Sequence, residues 1–227
     1  MKLEKRYLGS DYMIGKILEA SFHQPEHQRE ADAFCAKIIE AIRNHKVFAW
    51  DLDKTINALT KTFPLTVLDV LVEQAMDDYG LTIFQDMRSV NRSCPLDIVS
   101  DELLISWAAR KPNSRYTCLA RVVKFLNQGD EDDVGNWSAS AEKLIEVAPE
   151  PSKVLDVFLN RFGCQGRGSS LAATLVSRIP LIESLVQHSN SEIATWAERN
   201  APSYAAMIER QRATETAEDR ARDEKFE

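Results

Sequence analysis

Apolar side chains recur at helical spacing along most of this chain, and this spacing limits the folds that the chain can adopt. In an α-helix, residues three, four and seven positions apart lie on one face. Five segments show the pattern: 28–45, 64–77, 115–127, 151–162 and 170–187. Glycine, which tight hairpins and barrel corners use heavily, occurs only 8 times in 227 residues. The sequence therefore predicts an all-α fold of about ten short helices.

Proline and polar residues mark where these helices begin. A proline in the first turn costs no hydrogen bond, because the N–H groups there have no partner within the helix. We expect Pro25, Pro64, Pro151 and Pro202 each to begin a helix. The segment Ser189-Asn-Ser-Glu192 has the spacing of a capping box, and it predicts a further helix that carries Trp196.

The four tryptophans form two pairs with nearly the same separation, 87 residues in one pair and 89 in the other. A proline and the tetrapeptide Val-Leu-Asp-Val also repeat at an offset of 87. The matching positions are Trp50 and Trp137, Trp107 and Trp196, Pro64 and Pro151, and the tetrapeptides at 67–70 and 154–157. These matches indicate an internal duplication; the alternative is coincidence among helical segments of similar composition.

The duplication predicts the domain organisation. Residues 1–208 would form a single helical repeat domain, with a lead-in at 1–49 and repeat units at 50–136 and 137–208. Residues 209–227 alternate acidic and basic side chains with almost no apolar stripe. They predict a charged, solvated C-terminal helix or tail.

Half of an 87-residue unit is close to the period of HEAT and armadillo repeats, which is about 40–47 residues. The segment Trp196-Ala-Glu-Arg199 resembles the second half of a HEAT-type unit. This resemblance implies an α-α superhelix, or solenoid, whose stacked units share one core and leave an extended surface. In such an array the paired tryptophans would be stacking contacts between layers rather than ligand-binding residues.

The C-terminal half has a second resemblance. The segments 168–185, Ile193-Ala-Thr-Trp-Ala-Glu198 and 220–227 look like the C-terminal helical region of large bacterial proteins. Several of those proteins carry an NTPase or another effector domain upstream and are suspected of phage defence. The similarity covers residues 100–227, and it implies at most the helical sensor or scaffold part of such a bacterial protein.

The charge balance affects the choice of partner. The formal net charge is −7 and the sequence pI is about 5.3, which disfavours nucleic acid, because phosphates bind Lys and Arg. A local basic surface remains an alternative. The candidate residues for such a partner or nucleic-acid surface are Arg88, Arg92, Arg110, Lys111, Arg115, Arg121 and Arg167.

No motif in the sequence predicts a catalytic residue, a metal ligand or a cofactor site. His23 and His27 have zinc-binding spacing, but Pro25 separates them and no third ligand follows. The acidic run at 130–133 lacks the spacing of a calcium loop. The glycine-dense loop at 163–168 lacks the lysine of a phosphate-binding loop. We therefore expect no cofactor and no enzymatic activity. The alternative is an enzyme whose active site is built from helices in an unfamiliar way.

The sequence has no signal peptide and no apolar run long enough to cross a membrane, so we expect a cytoplasmic protein without membrane contact. Its four widely spaced cysteines predict free thiols. The leading hypothesis is a non-catalytic protein–protein interaction or sensing module. A nucleic-acid-binding helical repeat is the alternative.

Overall fold

A computed structural model describes residues 4–22, 25–80, 82–91, 94–127, 135–163 and 170–224. Within these ranges the secondary structure is helical and contains no strand, apart from one isolated antiparallel bridge between Leu126 and Trp137. The prediction of an all-α fold is confirmed. Contacts between Cα atoms divide the chain into two compact units, Met1–Val123 and Lys124–Glu227.

The first unit contains eight α-helical segments within the described residues. They are α1 (Glu4–Ser21), α2 (Gln28–Arg43), α3 (Asp53–Thr62), α4 (Pro64–Thr66), α5 (Ala75–Tyr79), α6 (Ile83–Asn91), α7 (Asp101–Ala108) and α8 (Arg115–Val122). A π-helix, Val67–Gln74, joins α4 to α5, and 3-10 turns occupy Pro25–His27, Ala49–Leu52 and Pro95–Ile98. The helices α1 and α2, predicted as a lead-in, pack against α3 and the π-helix.

The core of the first unit lies around the π-helix. Apolar side chains of the π-helix, α3 and α6 are almost fully buried there. They include Ile56, Leu59, Val67, Leu68, Val72, Phe84 and Met87. Pro64 begins α4 as predicted, since its missing N–H costs nothing in a first turn.

Two residues of α1 fix the contact between α1 and α3. The buried Asp11 carboxylate accepts hydrogen bonds from the backbone N–H groups of Lys54, at 2.8 Å, and Thr55, at 2.9 Å. These groups lie in the first turn of α3, where the helix itself offers no acceptor. One turn further on, a Cβ atom at Gly15 would lie 2.9 Å from the carbonyl oxygen of Lys54. Gly15 therefore allows the two helices to approach closely. Further along α1, Glu19 lies 3.0 Å from Lys61, near the end of α3, so the two helices run parallel.

The second unit contains α9 (Ala139–Val147), α10 (Pro151–Arg161), α11 (Leu171–Val176), α12 (Ile179–Glu183) and α13 (Ser191–Asp223). Aromatic rings fill its core. Trp137 packs against Phe158 and Phe162, with ring centroids 5.4 and 6.0 Å apart, and Tyr204 meets Phe162 edge-on. Pro151 begins α10, as predicted.

Two predicted helices are shorter than the apolar spacing suggested. The segment 115–127 is helical only to Val122, because the chain then extends and pairs with residues near Trp137. In that pairing the N–H of Ser138 donates to the carbonyl of Phe125 at 2.9 Å. The segment 170–187 divides into α11 and α12. Pro180 has no N–H to donate to the carbonyl of Val176, four residues earlier, and α11 ends at Val176.

The prediction that Pro202 begins a helix is wrong, because it lies inside the 33-residue α13. That helix starts after Asn190, whose side chain accepts a hydrogen bond from the N–H of Glu192 at 2.9 Å. Pro202 leaves the carbonyl of Glu198 without its helical donor. Both residues are exposed, so water can reach that carbonyl group.

The helix α13 continues past residue 208, where the predicted charged tail begins. Glu215 in this stretch contacts the start of α11, where its carboxylate accepts hydrogen bonds from the Ser170 hydroxyl and, at 2.9 Å, from the N–H of Ala172. These contacts lower the pKa of Glu215, the Ser170 hydrogen bond most strongly. The first turn of α11 is therefore capped by a side chain from α13.

The close approach at Gly15 gives a stability prediction of unusual sign. In an unconstrained helix, glycine to alanine stabilises by about 1 kcal/mol. Gly15→Ala should instead destabilise the protein by about 1–3 kcal/mol, because the new methyl group meets the Lys54 carbonyl. Urea unfolding of this variant is compared with Ser10→Ala, on the exposed side of the same helix. Stabilisation by Gly15→Ala would contradict the α1–α3 contact.

Candidate functional site

The structure separates the basic residues that the sequence grouped as a candidate surface. Arg92 and Arg167 lie outside the described residues. Arg88 makes two hydrogen bonds to the Asp97 carboxylate, at 2.9 and 2.7 Å, and a third to the carbonyl of Val122. Its charge is therefore neutralised within the first unit.

Three of the remaining residues reach solvent: Arg110, Lys111 and Arg121. Lys111 is paired with Glu73 at 3.1 Å, and Arg115 is buried. Lys111 and Arg115 are thus brought together, but on a shared carboxylate rather than on an open groove.

Arg115 is the centre of a charged cluster in the first unit. Its guanidinium makes two hydrogen bonds to Glu73, at 3.1 and 2.6 Å, and one to Asp69, at 2.6 Å. It also donates to the Trp107 carbonyl and lies 4.2 Å from the centroid of the Trp107 ring. Only 6% of the Arg115 side chain and 8% of the Glu73 side chain are exposed, so this pair is shielded from water, whereas the Asp69 side chain is 46% exposed.

The cluster depends on helix geometry. Asp69 and Glu73 are four residues apart on the π-helix and both reach Arg115 in α8. The same Asp69 oxygen that accepts from Arg115 also accepts from the Trp107 indole N–H, at 2.7 Å. Asp69 therefore connects the π-helix to both α7 and α8.

Charge pairing shifts the pKa values of Glu73 and Arg115, the two buried residues of the cluster. Hydrogen bonding to Arg115 is the main cause that lowers the pKa of Glu73, against the opposing effect of burial. Burial also opposes the charge on Arg115, but Glu73 and Asp69 outweigh it and raise the pKa of the guanidinium. Both groups stay charged at neutral pH, and the arrangement is that of a structural ion pair.

The second unit contains the same aspartate–tryptophan contact. The indole N–H of Trp196 donates to Asp156 at 2.7 Å, and Asp156 belongs to the second Val-Leu-Asp-Val segment. The residue eight positions after the tryptophan differs: it is Arg115 in the first unit and Tyr204 in the second. Tyr204 donates to the carbonyl of Leu175 at 2.8 Å. The shared contact therefore persists without the ion pairs of the first unit.

The other tryptophan pair has two different environments. Trp137 is buried and its indole N–H donates to the carbonyl of Leu181 at 2.9 Å. Trp50 is only half-buried and stacks on Phe48, with ring centroids 4.6 Å apart and an interplanar angle of 6°. Since Phe48 is exposed, this aromatic stack reaches the surface of the first unit.

Among the described side chains of α1, from Ser10 to Ser21, three large apolar ones are exposed. Tyr12, Met13 and Ile17 are 54%, 57% and 56% exposed. Met13 and Ile17 are one helical turn apart and form one strip, opposite the face that carries Asp11 and Gly15. Residues separated by one turn on a helix present a continuous surface, so this strip can contact another apolar surface.

The sequence patterns predicted neither the α1 strip nor the indole–aspartate bonds. Residues 11–18 carry apolar side chains on two sides of the helix. A search for one apolar stripe per helix does not detect such a pattern. The repeat did single out Asp69, Asp156, Trp107 and Trp196, but one-dimensional spacing does not show that they touch.

The described residues offer little for metal or thiol chemistry. No group of three or more His, Cys, Asp or Glu side chains that could hold a metal ion occurs among them. Burial raises the pKa of both Cys35 and Cys94 to about 12, so neither thiol is a nucleophile at neutral pH. His27 is the last residue of the 3-10 turn before α2, while His23 and the acidic run at 130–133 lie outside the described residues.

No single helix in the described part of the chain is both long and apolar enough to cross a membrane. One pair, Ala49–Thr62 with Pro64–Asp78, meets the length and composition criteria only when the two segments are combined, and they are bent by 118°.

The ion pair between Glu73 and Arg115 gives a prediction of pH-dependent stability. Because folding lowers the pKa of Glu73, its contribution is complete above the ordinary value of 4.5 and is lost as the pH falls through the lower folded value. Glu73→Gln should cost about 2–4 kcal/mol at pH 7, since it leaves Arg115 buried with less compensation. Urea unfolding at pH 7, 5, 4 and 3 measures this cost, and the cost should shrink towards pH 3.

The exposed Glu40 supplies the control for that experiment. Glu40→Gln should leave the free energy of unfolding within about 0.5 kcal/mol of the wild type at each pH. Equal effects of the two substitutions at pH 7 would contradict the assignment of Glu73 to a buried ion pair.

Comparison of the chain with protein-family models, curated proteins and solved structures finds no match.

Proposed function

We propose that this chain is a non-catalytic protein-binding module and that it contacts its partner through the outer side of α1. The observation that carries the proposal is the strip formed by Met13 and Ile17, with Tyr12 beside it. These are three of the seven large apolar side chains that are exposed within the described residues, and they lie within six positions of one helix. Clustered exposed apolar side chains are typical of binding surfaces, whereas scattered ones are ordinary.

The support for α1 also favours a binding role. The Asp11 cap, the close contact at Gly15 and the ion pair between Glu19 and Lys61 hold the inner side of α1 against α3. A helix held in this way loses little conformational freedom when its outer side binds, so less of the binding energy is spent on ordering it.

We further propose that residues 50–136 and 137–208 are two copies of one helical repeat of HEAT-like type. The two indole–aspartate bonds, at Trp107 with Asp69 and Trp196 with Asp156, support the duplication because each has the same donor, acceptor and 2.7 Å length. Stacking of such units into a superhelix stays a prediction. So does the relation of residues 100–227 to the helical region of bacterial defence-type proteins.

The nucleic-acid alternative loses support from the ion pairs of the first unit. Arg88 and Arg115, two of its candidate residues, are neutralised by Asp97, Asp69 and Glu73. Phosphate contacts need cations that can exchange their counterions for the ligand, and internal ion pairs do not supply them. Arg110 and Arg121 remain exposed, and they are the residues to substitute if binding depends on nucleic acid.

Affinity capture from the native host tests the protein-binding proposal. The wild type is compared with the double variant Met13→Lys/Ile17→Lys, with nuclease included in half of the washes. We expect a stoichiometric protein that survives nuclease and falls at least about 10-fold in the double variant, because two lysines would have to be desolvated at the contact.

Val147→Lys is the matched control, since Val147 is 43% exposed and lies in the second unit. It should retain the captured protein. Equal recovery with wild type and the double variant would contradict the assigned surface. Recovery that disappears with nuclease would contradict protein binding and favour the nucleic-acid alternative.

A further inference from the structure

We propose that the partner of the α1 strip is a second copy of this chain, which binds by an antiparallel α1–α1 contact about a two-fold axis. This inference rests on the proposed function, because it names the partner of the same surface. Three features of α1 carry it: the spacing of the strip, the small residues at its ends and the charges beside it.

The spacing makes the strip complementary to itself. In an antiparallel pair whose axis passes at the level of residue 15, Met13 of each copy lies against Ile17 of the other. A two-fold contact of this kind uses the same patch twice, so Met13 and Ile17 of each copy find an apolar partner. Both side chains are more than half exposed in the single chain, so each has apolar surface left for the contact to bury.

Small residues occupy the exposed positions near the ends of the strip. Ser10 lies before Met13, while Ala20 and Ser21 follow Ile17. In the same antiparallel register Ser10 of one copy lies opposite Ala20 of the other. Small side chains at these positions let two helices approach to the 8–10 Å at which helices pack.

Among the side chains of α1 that the structure describes, the charges beside the strip are compensated. Lys16 pairs with Glu19 at 3.1 Å, and Glu19 also pairs with Lys61 at 3.0 Å. Residues 1–123 contain 16 basic and 17 acidic side chains, whereas residues 124–227 contain 12 and 18. Most of the net charge of −7 therefore lies in the second unit, and the first unit brings little like-charge repulsion to a contact with its own copy.

The length of α1 sets the expected affinity. An 18-residue helix is about 27 Å long, so one helix pair buries less than the roughly 800 Å² per partner of a standard interface. We expect a reversible dimer with a dissociation constant on the order of 10 μM.

Sedimentation equilibrium of the purified full chain over 1–500 μM tests the proposal. The wild type should convert from monomer to dimer across this range. Met13→Glu/Ile17→Glu should weaken the dimer at least about 100-fold, since four carboxylates would face an apolar contact. Val147→Glu should leave the dimer unchanged, and circular dichroism melting checks that all three proteins are folded. A wild type that stays monomeric at 500 μM, or a dimer that the double variant leaves intact, would overturn the proposal.

Disulfide trapping tests the antiparallel register. In a Cys164→Ser background, a mixture of Met13→Cys and Ile17→Cys chains should form a cross-linked heterodimer faster than either chain alone, because a disulfide needs Cβ atoms about 4 Å apart. Equal rates in all three samples would overturn the register.

Failure of this inference differs from failure of the proposed function. A monomeric wild type that still loses a captured protein on Met13→Lys/Ile17→Lys overturns self-association alone. A dimer that depends on the strip supports both.

Discussion

The hydrogen bond between an aspartate carboxylate and a tryptophan indole N–H is the contact on which each unit depends. In the first unit it connects the π-helix to α7, and in the second it connects α10 to α13, at the same 2.7 Å. A buried indole that lacked an acceptor would destabilise its unit, because Trp107 and Trp196 are both almost completely buried. The aspartate therefore satisfies the polar group that each large aromatic side chain brings into the core.

The two units then differ in what surrounds this shared contact. The first unit adds Arg115 and Glu73, which place a hydrogen-bonded ion pair beside its apolar core. The second unit places Tyr204 at the corresponding distance along the chain and fills its core with aromatic rings such as Phe158 and Phe162. The Arg115 ion pairs join the π-helix to α8, whereas α1 is held separately, by its contacts with α3 at Asp11, Gly15 and Glu19.

The sequence predicted the fold class and much of the helix placement, and it failed where tertiary contacts decide. Helical spacing located α2 and α10, and Pro64 and Pro151 marked helix starts. It could not show that Leu126 leaves its apolar stripe to pair with Trp137, nor that α13 continues through Pro202. It also counted Arg88 and Arg115 as surface candidates, because a basic residue looks the same in sequence whether or not a carboxylate 9 or 42 positions away neutralises it. The strip on α1 became visible only when the contact with α3 defined which side of that helix is inner.

Oxidation of methionine measures most directly whether the outer side of α1 is covered when the protein works. Met13 is 57% exposed in the single chain, whereas Met87 is fully buried and provides an internal reference. Brief hydrogen peroxide treatment followed by mass spectrometry reports both sulfoxides in one sample, and exposed thioethers react faster. We expect Met13 to oxidise rapidly at 1 μM protein and at least several-fold more slowly at 500 μM, while Met87 stays slow at both concentrations. Rapid oxidation of Met13 at both concentrations would contradict it.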